Sequence, residues 1–294
     1  MKHAILFGVA VCVGLLAHPV PAQQRAAIGN RADAEAVRTL SYGPDKLQKL
    51  DFYAAKGRAR APLVVFVHGG GWKRGDKNMM RGSDKLKDWQ AKGFAVASLN
   101  YRLVPDARVE DQAADVAAAV ALLKRQAPVL AFDADRIVLV GHSAGAHLVA
   151  LVGTDPQWLG GVGLPMTAVR GIVPLDGAGY HVPSQVGKNE AVLGDTYVQA
   201  FGTDPARQKA LSPTLHAQGP NAPAFLILYV QRADAKAQSE GLAKALRAGG
   251  TLVETRQIAG RGLKGHMEIN RRLGEAAYPA TAIVDGWLSR LFAR

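Results

Sequence analysis

The segment from residue 138 to residue 150 constrains the fold of this chain more than any other. It reads VLVGHSAGAHLVA, so a run of β-branched and aliphatic residues passes through closely spaced glycines into a run of small and aliphatic residues. Such a change of pattern predicts a buried strand, a tight turn and a helix in immediate succession. Strands joined directly to helices are the units from which parallel sheets with helices on both faces are built.

Extended and helical patterns alternate along the rest of the chain. Eight segments are strand candidates: residues 37–42, 47–54, 63–67, 94–100, 137–140, 171–175, 224–230 and 252–257. Helical patterns occupy residues 111–126, 144–152 and 236–248, and a last helix is expected within residues 280–293. The order predicts an α/β fold, with a mostly parallel eight-stranded sheet, helices on both faces and an antiparallel edge.

No repeat, low-complexity tract or linker divides the sequence after residue 37, so residues 37–294 are interpreted as one domain. Residues 23–36 are a polar, alanine-rich lead-in segment. Residues 177–222 show little periodicity and lie between two strand candidates. A long insertion of this kind is usually functional, for example as a lid.

Residues 1–22 have the pattern of a secretory signal peptide. Lys2 and His3 precede an uncharged apolar run at residues 4–17, and Val20-Pro21-Ala22 offers a small-x-small cleavage site. The apolar run is too short to cross a hydrocarbon core, which needs about 20 residues. We therefore expect cleavage near Ala22, no stable membrane anchor after cleavage, and a periplasmic or secreted location.

The formal net charge of +12 first raises the question of a nucleic-acid partner. The basic residues are scattered in ones and twos, without aromatic interleaving and without a zinc or helix-turn-helix pattern. A basic, solvated surface is the better interpretation, and no nucleic-acid partner is predicted. The single cysteine, Cys12, lies in the signal segment, so the stability of the mature chain must come from core packing.

The turn at residues 141–145 matches the G-x-S-x-G pattern and places Ser143 between a buried strand and a helix. A serine held there projects its hydroxyl at the carboxyl edge of the sheet, and the flanking glycines avoid collisions with the neighbouring strand and helix. The helix start directs backbone N–H groups at any negative charge that forms beside the serine. A serine that simply caps an ordinary helix is the other interpretation.

A second motif, HGGGW at residues 68–72, follows a buried strand candidate and precedes the serine turn in the chain. Three successive glycines let the backbone approach a substrate closely with free N–H groups. We therefore assign Gly70, Gly71 and Ala144 as donors of an oxyanion hole. A phosphate-binding loop is the alternative, but the G-x-x-x-x-G-K-[ST] spacing is missing.

Together these residues resemble the α/β-hydrolase superfamily, and within it the esterases of the hormone-sensitive-lipase and feruloyl-esterase-like groups, near kynurenine formamidase. Residues 50–53, LDFY, are similar to the LDVY strand of those enzymes, and residues 100–103, NYRL, to their NYRL turn. The resemblance covers most of residues 40–294 and implies an α/β-hydrolase fold with a catalytic triad. The two main motifs are specific for the superfamily and much less so for the substrate.

The resemblance implies that the triad residues follow the order serine, acid, histidine. His266 alone follows all the required elements, in a segment at residues 259–266 that we expect to be a loop after the eighth strand. A surface histidine in a polar loop is the alternative. The other seven lie in the signal segment, in the glycine loop, on the serine turn and its helix, or before the seventh strand: His3, His18, His68, His142, His147, His181 and His216.

The acid is expected to be Asp234, because it lies after the seventh strand, where the family carries this residue. The sequence before it, Gln231-Arg232-Ala233, departs from the usual His-Gly, which leaves the position open. Asp176, at the end of the sixth strand candidate, is the main competitor, and Glu240 or Asp204 are further alternatives. If Asp234 were only a helix N-cap, its loss would lower stability and leave turnover intact.

These residues predict an exported serine hydrolase that cleaves small-molecule carboxylic esters through an acyl-enzyme. Trp72, His142 and Tyr180 are candidate pocket residues. No metal site or cofactor is predicted, because no HExxH pattern is present and no GxGxxG is expected to open a βα unit for a dinucleotide. An arylformamidase or a small amidase or peptidase would use the same catalytic residues. A non-catalytic binding protein on a hydrolase scaffold is the alternative from another class.

Overall fold

The computed structural model describes residues 37–186 and 194–293, so the predicted signal and lead-in segments lie outside the described residues. Eight strands are present: β1 (Val37–Ser41), β2 (Lys49–Tyr53), β3 (Ala61–Val67), β4 (Ala95–Leu99), β5 (Phe132–His142), β6 (Gly171–Leu175), β7 (Ala224–Gln231) and β8 (Leu252–Arg261). All eight predicted strands are confirmed. β5 begins five residues earlier than predicted and β8 extends four residues further.

The described residues also contain eleven α-helices and two short 3₁₀ turns, at Lys77–Met80 and Met166–Ala168. The helices are α1 (Asp84–Ala91), α2 (Val109–Leu130), α3 (Ala144–Thr154), α4 (Pro156–Gly160), α5 (Val182–Val186), α6 (Gly194–Phe201), α7 (Pro205–Ala210), α8 (Pro213–His216), α9 (Ala233–Ala248), α10 (Gly262–Arg271) and α11 (Pro279–Phe292). The four predicted helices correspond to α2, α3, α9 and α11. The loop predicted at residues 259–266 is wrong, because β8 continues to Arg261 and α10 begins at once.

The strands form one sheet in the order β1-β2-β4-β3-β5-β6-β7-β8. β1 pairs with β2, and β2 with β4, in antiparallel fashion. The strands from β4 through β3 to β8 are parallel to their neighbours. The predicted mostly parallel sheet with an antiparallel edge is confirmed. Parallel pairing brings the carboxyl ends of β3, β5, β6, β7 and β8 to one edge, where active sites of open α/β sheets lie.

Two hydrophobic layers cover the sheet, one on each face. In β3, the side chains of Leu63, Val65 and Val67 belong to a core shared with α2, α3 and α9. The side chains of Val64 and Phe66 point the other way and belong to a core shared with α1, α10 and α11. Both faces are therefore buried, as the unbroken apolar strands of a parallel sheet require.

Four short helices, α5 to α8, lie between β6 and β7 within the predicted insertion at residues 177–222. The described part of the insertion therefore consists largely of short helices rather than of an extended loop. It connects to the body of the domain through contacts such as the bond from the His181 N–H to the Gln238 Oε1 of α9, at 2.7 Å. Within the described part of the chain, no helix has both the length and the apolar character needed to span a membrane.

Candidate active site

Ser143 lies in a strained turn between β5 and α3. Its φ of 56° and ψ of −117° are unusual for a residue with a side chain. A Cβ atom at Gly141 would lie 2.2 Å from the carbonyl oxygen of Gly145, and a Cβ at Gly145 would lie 2.2 Å from that of Val67. The two glycines are thus required by the close approach of β5, α3 and the end of β3. The turn directs the serine hydroxyl toward the carboxyl edge of the sheet.

His266 lies in the first half of α10, and its ring reaches the serine. The Nε2 atom of His266 is 3.1 Å from the Ser143 Oγ, within hydrogen-bonding distance. The structure therefore brings together the two residues that the sequence analysis assigned as nucleophile and base. The ring is buried, with only a small edge exposed, so water competes little for the contact.

The acid beside His266 is Asp176, and the prediction of Asp234 for this position is wrong. The Oδ2 atom of Asp176 lies 2.7 Å from the Nδ1 atom of His266. Asp176 follows β6 with a φ of 45°, which turns its carboxylate toward α10. Asp234 lies in the first turn of α9, is about one third exposed, and contacts Arg232 at 3.3 Å. The structure thus selects the competitor at the end of the sixth strand.

The surroundings of Asp176 favour its ionised form. Burial raises the pKa of this carboxyl, but the hydrogen bond from His266, the charge of Arg232 and the N–H of Val230 together bring the pKa below its ordinary value. The Val230 N–H donates to Oδ1 at 2.8 Å, and the Arg232 Nε lies 3.6 Å from Oδ2. Asp176 is therefore a fully buried carboxylate that can hold and stabilise a protonated His266 ring.

His142 connects the turn that carries Ser143 to α10, the helix that carries His266. Its Nε2–H donates to the backbone carbonyl of His266 at 2.8 Å, and the two rings lie 4.6 Å apart. Burial, and after it the neighbouring His266, lowers the pKa of His142 to about 3. His142 is thus neutral at ordinary pH, and its fixed N–H holds the backbone that carries His266.

The glycine loop at residues 69–71 lies beside the serine. Gly70 and Gly71 have φ values of 128° and 61°, and a Cβ at Gly70 would lie 2.0 Å from the Arg74 carbonyl oxygen. Among the described residues, no acceptor is hydrogen-bonded to the backbone N–H of Gly70, Gly71 or Ala144. These three N–H groups are those assigned as oxyanion donors, and all three residues line one pocket with Ser143.

Residues 50–159 match the BD-FAE family model. The structure also aligns with that of Esterase B from Lactobacillus rhamnosis (HN001) at a TM-score of 0.72 and 24% identity, over 92% of this chain and 91% of that chain. The chain therefore has the α/β-hydrolase fold. The expected resemblance to esterases of the hormone-sensitive-lipase and feruloyl-esterase-like groups is confirmed.

Curated proteins similar to this chain are named as esterases, and the chain matches only part of their length. Esterase LipC of Mycobacterium tuberculosis is 34% identical over 126 residues, which are 41% of this chain and 31% of LipC. The carboxylic ester hydrolase LipN of the same organism is 30% identical over 224 residues, which are 70% of this chain and 57% of LipN. The chain thus spans less than a third of LipC and just over half of LipN.

The candidate active-site pocket has a volume of about 330 Å³ and is lined by all three residues of the Ser143–His266–Asp176 contact. Two of the three predicted pocket residues, Trp72 and His142, line it. Tyr180 does not, and this prediction is wrong. Tyr180 is fully buried, and its hydroxyl packs against Gly177, where a Cβ would lie 2.2 Å away.

Several residues that line the pocket were not predicted as site residues. They come from the 3₁₀ turn after the glycine loop, the insertion, the start of α9 and the helix α10: Met79, Thr196, Arg232, Leu263, Met267 and Asn270. The last three share α10 with His266. A helical interpretation of residues 262–271, in place of the expected loop, would have placed them on one face with His266.

In the part of the chain that the structure describes, no three His, Cys, Asp or Glu side chains converge to hold a metal ion. The aspartate and histidine side chains of the pocket make hydrogen bonds within the protein instead. His266 bonds to Asp176 and to Ser143, and His142 to a backbone carbonyl.

His147 on α3 gives a testable dependence of stability on pH. Its Nε2 bonds to the Leu211 carbonyl in the insertion at 2.9 Å, and burial lowers its pKa to about 4. Because the unfolded chain protonates histidine near its ordinary pKa of about 6.5, unfolding takes up a proton between these values, and stability falls as pH decreases. This contribution amounts to about 1.4 kcal/mol per pH unit for one histidine.

We therefore expect the variant His147→Gln to lose less stability than the parent between pH 6.5 and pH 4.5. The measurement is urea unfolding of both proteins at half-unit steps of pH. Other titrating groups, such as Asp285 with its pKa raised by burial to about 6, are common to both proteins and cancel in the difference. Parallel stability curves for the two proteins would contradict a neutral, buried His147.

Proposed function

We propose that this hydrolase is a serine esterase in which Ser143, His266 and Asp176 form the catalytic triad. The observation that carries the proposal is the chain of contacts from Asp176 through His266 to Ser143, at 2.7 Å and 3.1 Å. A serine hydroxyl needs a base to remove its proton, and the base needs an acid to orient it. The esterase names of LipC and LipN support the class of reaction.

In the proposed reaction, the Ser143 Oγ attacks the ester carbonyl carbon while its proton passes to the His266 Nε2. The carbonyl oxygen becomes an oxyanion that accepts hydrogen bonds from the N–H groups of Gly70, Gly71 and Ala144. The tetrahedral intermediate then breaks its bond to the alcohol oxygen, which receives the proton from His266, and leaves an acyl-serine. Asp176 stabilises the imidazolium in both steps.

The second half of the cycle uses water in place of the alcohol. His266 removes a proton from water, and the hydroxide oxygen bonds to the acyl carbon. Collapse of the second intermediate breaks the bond to the Ser143 Oγ, which recovers its proton from His266. The products are a carboxylic acid and the free enzyme, so no cofactor is required for the balance of atoms or electrons.

Labelling and turnover together test the proposal. A fluorophosphonate probe should modify Ser143 in the folded protein, and p-nitrophenyl acetate should be hydrolysed at a rate that falls as labelling proceeds. Parallel assays with an N-formyl arylamine and an aminoacyl amide separate an esterase from a formamidase or amidase. A folded chain that neither reacts with the probe nor hydrolyses any of these compounds would favour a binding protein and overturn the proposal.

We further propose that the hydrolase is exported and that its first 22 residues are removed as a signal peptide. The support is the sequence pattern of a short basic start, an apolar run and a small-x-small site before Gln23. A chain whose sole cysteine lies in the removed segment would be unaffected by the oxidising conditions outside the cytoplasm.

A further inference from the structure

Arg232 is a largely buried cation in the candidate active-site pocket, and the proposed reaction leaves it without a role. It is the N-cap residue of α9, directly after β7, and it lines the pocket. Its side chain is 11% exposed, and its Nε lies 3.6 Å from the Asp176 Oδ2. Among the described residues, that buried Nε has no hydrogen-bond partner. The guanidinium therefore places a positive charge against the proposed triad without a hydrogen bond to it.

The Asp176 oxygen that faces Arg232 is the one that His266 uses. Oδ2 lies 2.7 Å from the His266 Nδ1, whereas Oδ1 accepts from the Val230 N–H at 2.8 Å. At 3.6 Å the Arg232 Nε is too far from Oδ2 for a hydrogen bond, so it leaves the lone pair of that oxygen to His266. Its charge still acts at this distance, because the site is buried and water screens it little. Arg232 can thus change how strongly Asp176 attracts the imidazolium without changing the hydrogen bond.

The charged and titratable groups around His266 come from β5, α1, α9 and α10 as well as from the ends of β6 and β7. On α9, the Asp234 carboxylate contacts the Arg232 Nη2 at 3.3 Å and is about one third exposed. In β5, burial lowers the pKa of His142 to about 3, so this ring is neutral at ordinary pH. Burial also lowers the pKa of Lys85, on α1, to about 8.

The remaining groups there are neutral or lie at the surface. Burial raises the pKa of three tyrosines near Asp176 above the ordinary value: Tyr180, Tyr197 and Tyr278. The other charged side chains of the pocket and of α10 are exposed or half-buried: Lys73, Arg74, Lys264, Glu268 and Arg271. Within the described chain, Arg232 and Asp176 are therefore the largely buried charges that line the pocket.

We propose that Arg232 is a positioning residue that acts through Asp176 and extends ester hydrolysis to lower pH. This inference rests on the proposed esterase function, in which an unprotonated His266 accepts the Ser143 proton. Asp176 favours the protonated ring, whereas the neighbouring positive charge opposes it. Arg232 therefore offsets part of the attraction of Asp176, and the base stays available in more acid solution.

The test is the pH dependence of kcat/KM for p-nitrophenyl acetate, followed at the isosbestic wavelength of p-nitrophenol. Arg232→Met removes the charge and keeps an apolar stem. In this variant the acid limb of the profile, where kcat/KM falls as the base is protonated, should move upward by about one pH unit. At a given pH on that limb kcat/KM should fall about tenfold, while the plateau at higher pH stays near that of the parent. Arg232→Lys keeps a positive charge, so its profile should remain close to that of the parent.

Asp234→Asn is the complementary variant and should move the acid limb in the opposite direction. It removes the carboxylate that partly neutralises Arg232. The downward shift should be smaller, about half a pH unit, because the Asp234 side chain is partly exposed and its charge is screened. Opposite shifts follow from charge, whereas loosening of the pocket by either variant would lower the plateau without moving the limb.

Arg136→Met is the matched control. Arg136 pairs with Asp133 at 3.0 Å near the start of β5, at the opposite end of that strand from Ser143, and does not line the pocket. Its replacement should lower stability slightly and leave the pH profile unchanged.

An acid limb in Arg232→Met that stays where it is in the parent would overturn this inference and leave the esterase proposal intact. If thermal unfolding shows that this variant does not fold, Asp234→Asn decides the question. An acid limb that is unmoved or shifted upward in Asp234→Asn would contradict the inference in the same way. Failure of the parent protein to hydrolyse the ester would instead refute the esterase proposal itself.

Discussion

Replacement of Ser143 by alanine should lower ester hydrolysis by at least about 10⁴-fold, because the nucleophile of the acyl-enzyme is lost. The remaining rate would come from the backbone N–H donors and from substrate positioning. The Ser143 hydroxyl makes one side-chain contact in the described structure, with the His266 Nε2, and caps no helix N–H. Folding should therefore be little affected. The measurement is kcat/KM for p-nitrophenyl acetate, with thermal unfolding as the check on structure.

Ser98→Ala is a suitable control for this experiment. Ser98 is a buried serine in β4 that donates to the Lys77 carbonyl at 2.9 Å and does not line the pocket. Its replacement should cost about 1 kcal/mol of stability and leave turnover near that of the parent. If Ser143→Ala retained more than a tenth of the parent activity, Ser143 could not be the nucleophile.

Replacement of Asp176 by asparagine should lower kcat by about 10⁴-fold. An asparagine cannot supply the negative charge that stabilises protonated His266, and its amide N–H would favour the wrong tautomer of the ring. Asp234→Asn should change kcat by less than about threefold, since the Asp234 carboxylate contacts Arg232 and not His266. The measurement is kcat for each variant at pH 7 and pH 8, beside thermal unfolding.

Each aspartate variant is a control for the other, because both replace an aspartate by asparagine and the two aspartates follow the neighbouring strands β6 and β7. Loss of activity in Asp234→Asn, with Asp176→Asn active, would restore the assignment expected from the sequence resemblance. It would also require a conformation in which α9 turns its first residues toward His266. Loss in both would show that Arg232, which contacts both carboxylates, couples them.

The strands and two of the three residues of the proposed triad were predictable from the sequence because their signals are local. An apolar run followed by glycines and small residues specifies a strand, a turn and a helix, and this pattern located Ser143. His266 was found by its position after the last strand. Both inferences depend on order along the chain and need no knowledge of which side chains meet.

The acid could not be assigned in this way, because two aspartates follow neighbouring strands. The choice depends on the positive φ of Asp176 and on the Val230 N–H and Arg232 side chain that surround it, none of which has a local signal. Tyr180 was placed wrongly for a similar reason, since its position close to Asp176 in sequence did not reveal that it turns into the core. Asn270 was missed because α10 was expected to be a loop.

The position of Asp176 next to β5 has a mechanical consequence. His142 and Leu175 are partners in the β5–β6 ladder, and the Ser143 N–H donates to the Leu175 carbonyl at 3.1 Å. The backbone hydrogen bonds between β5 and β6 therefore connect the segment that carries Ser143 directly to the segment that carries Asp176. Because the two residues share this backbone pairing, we expect them to move together, and we expect changes in the triad distances to arise chiefly from motion of α10 and the His266 ring.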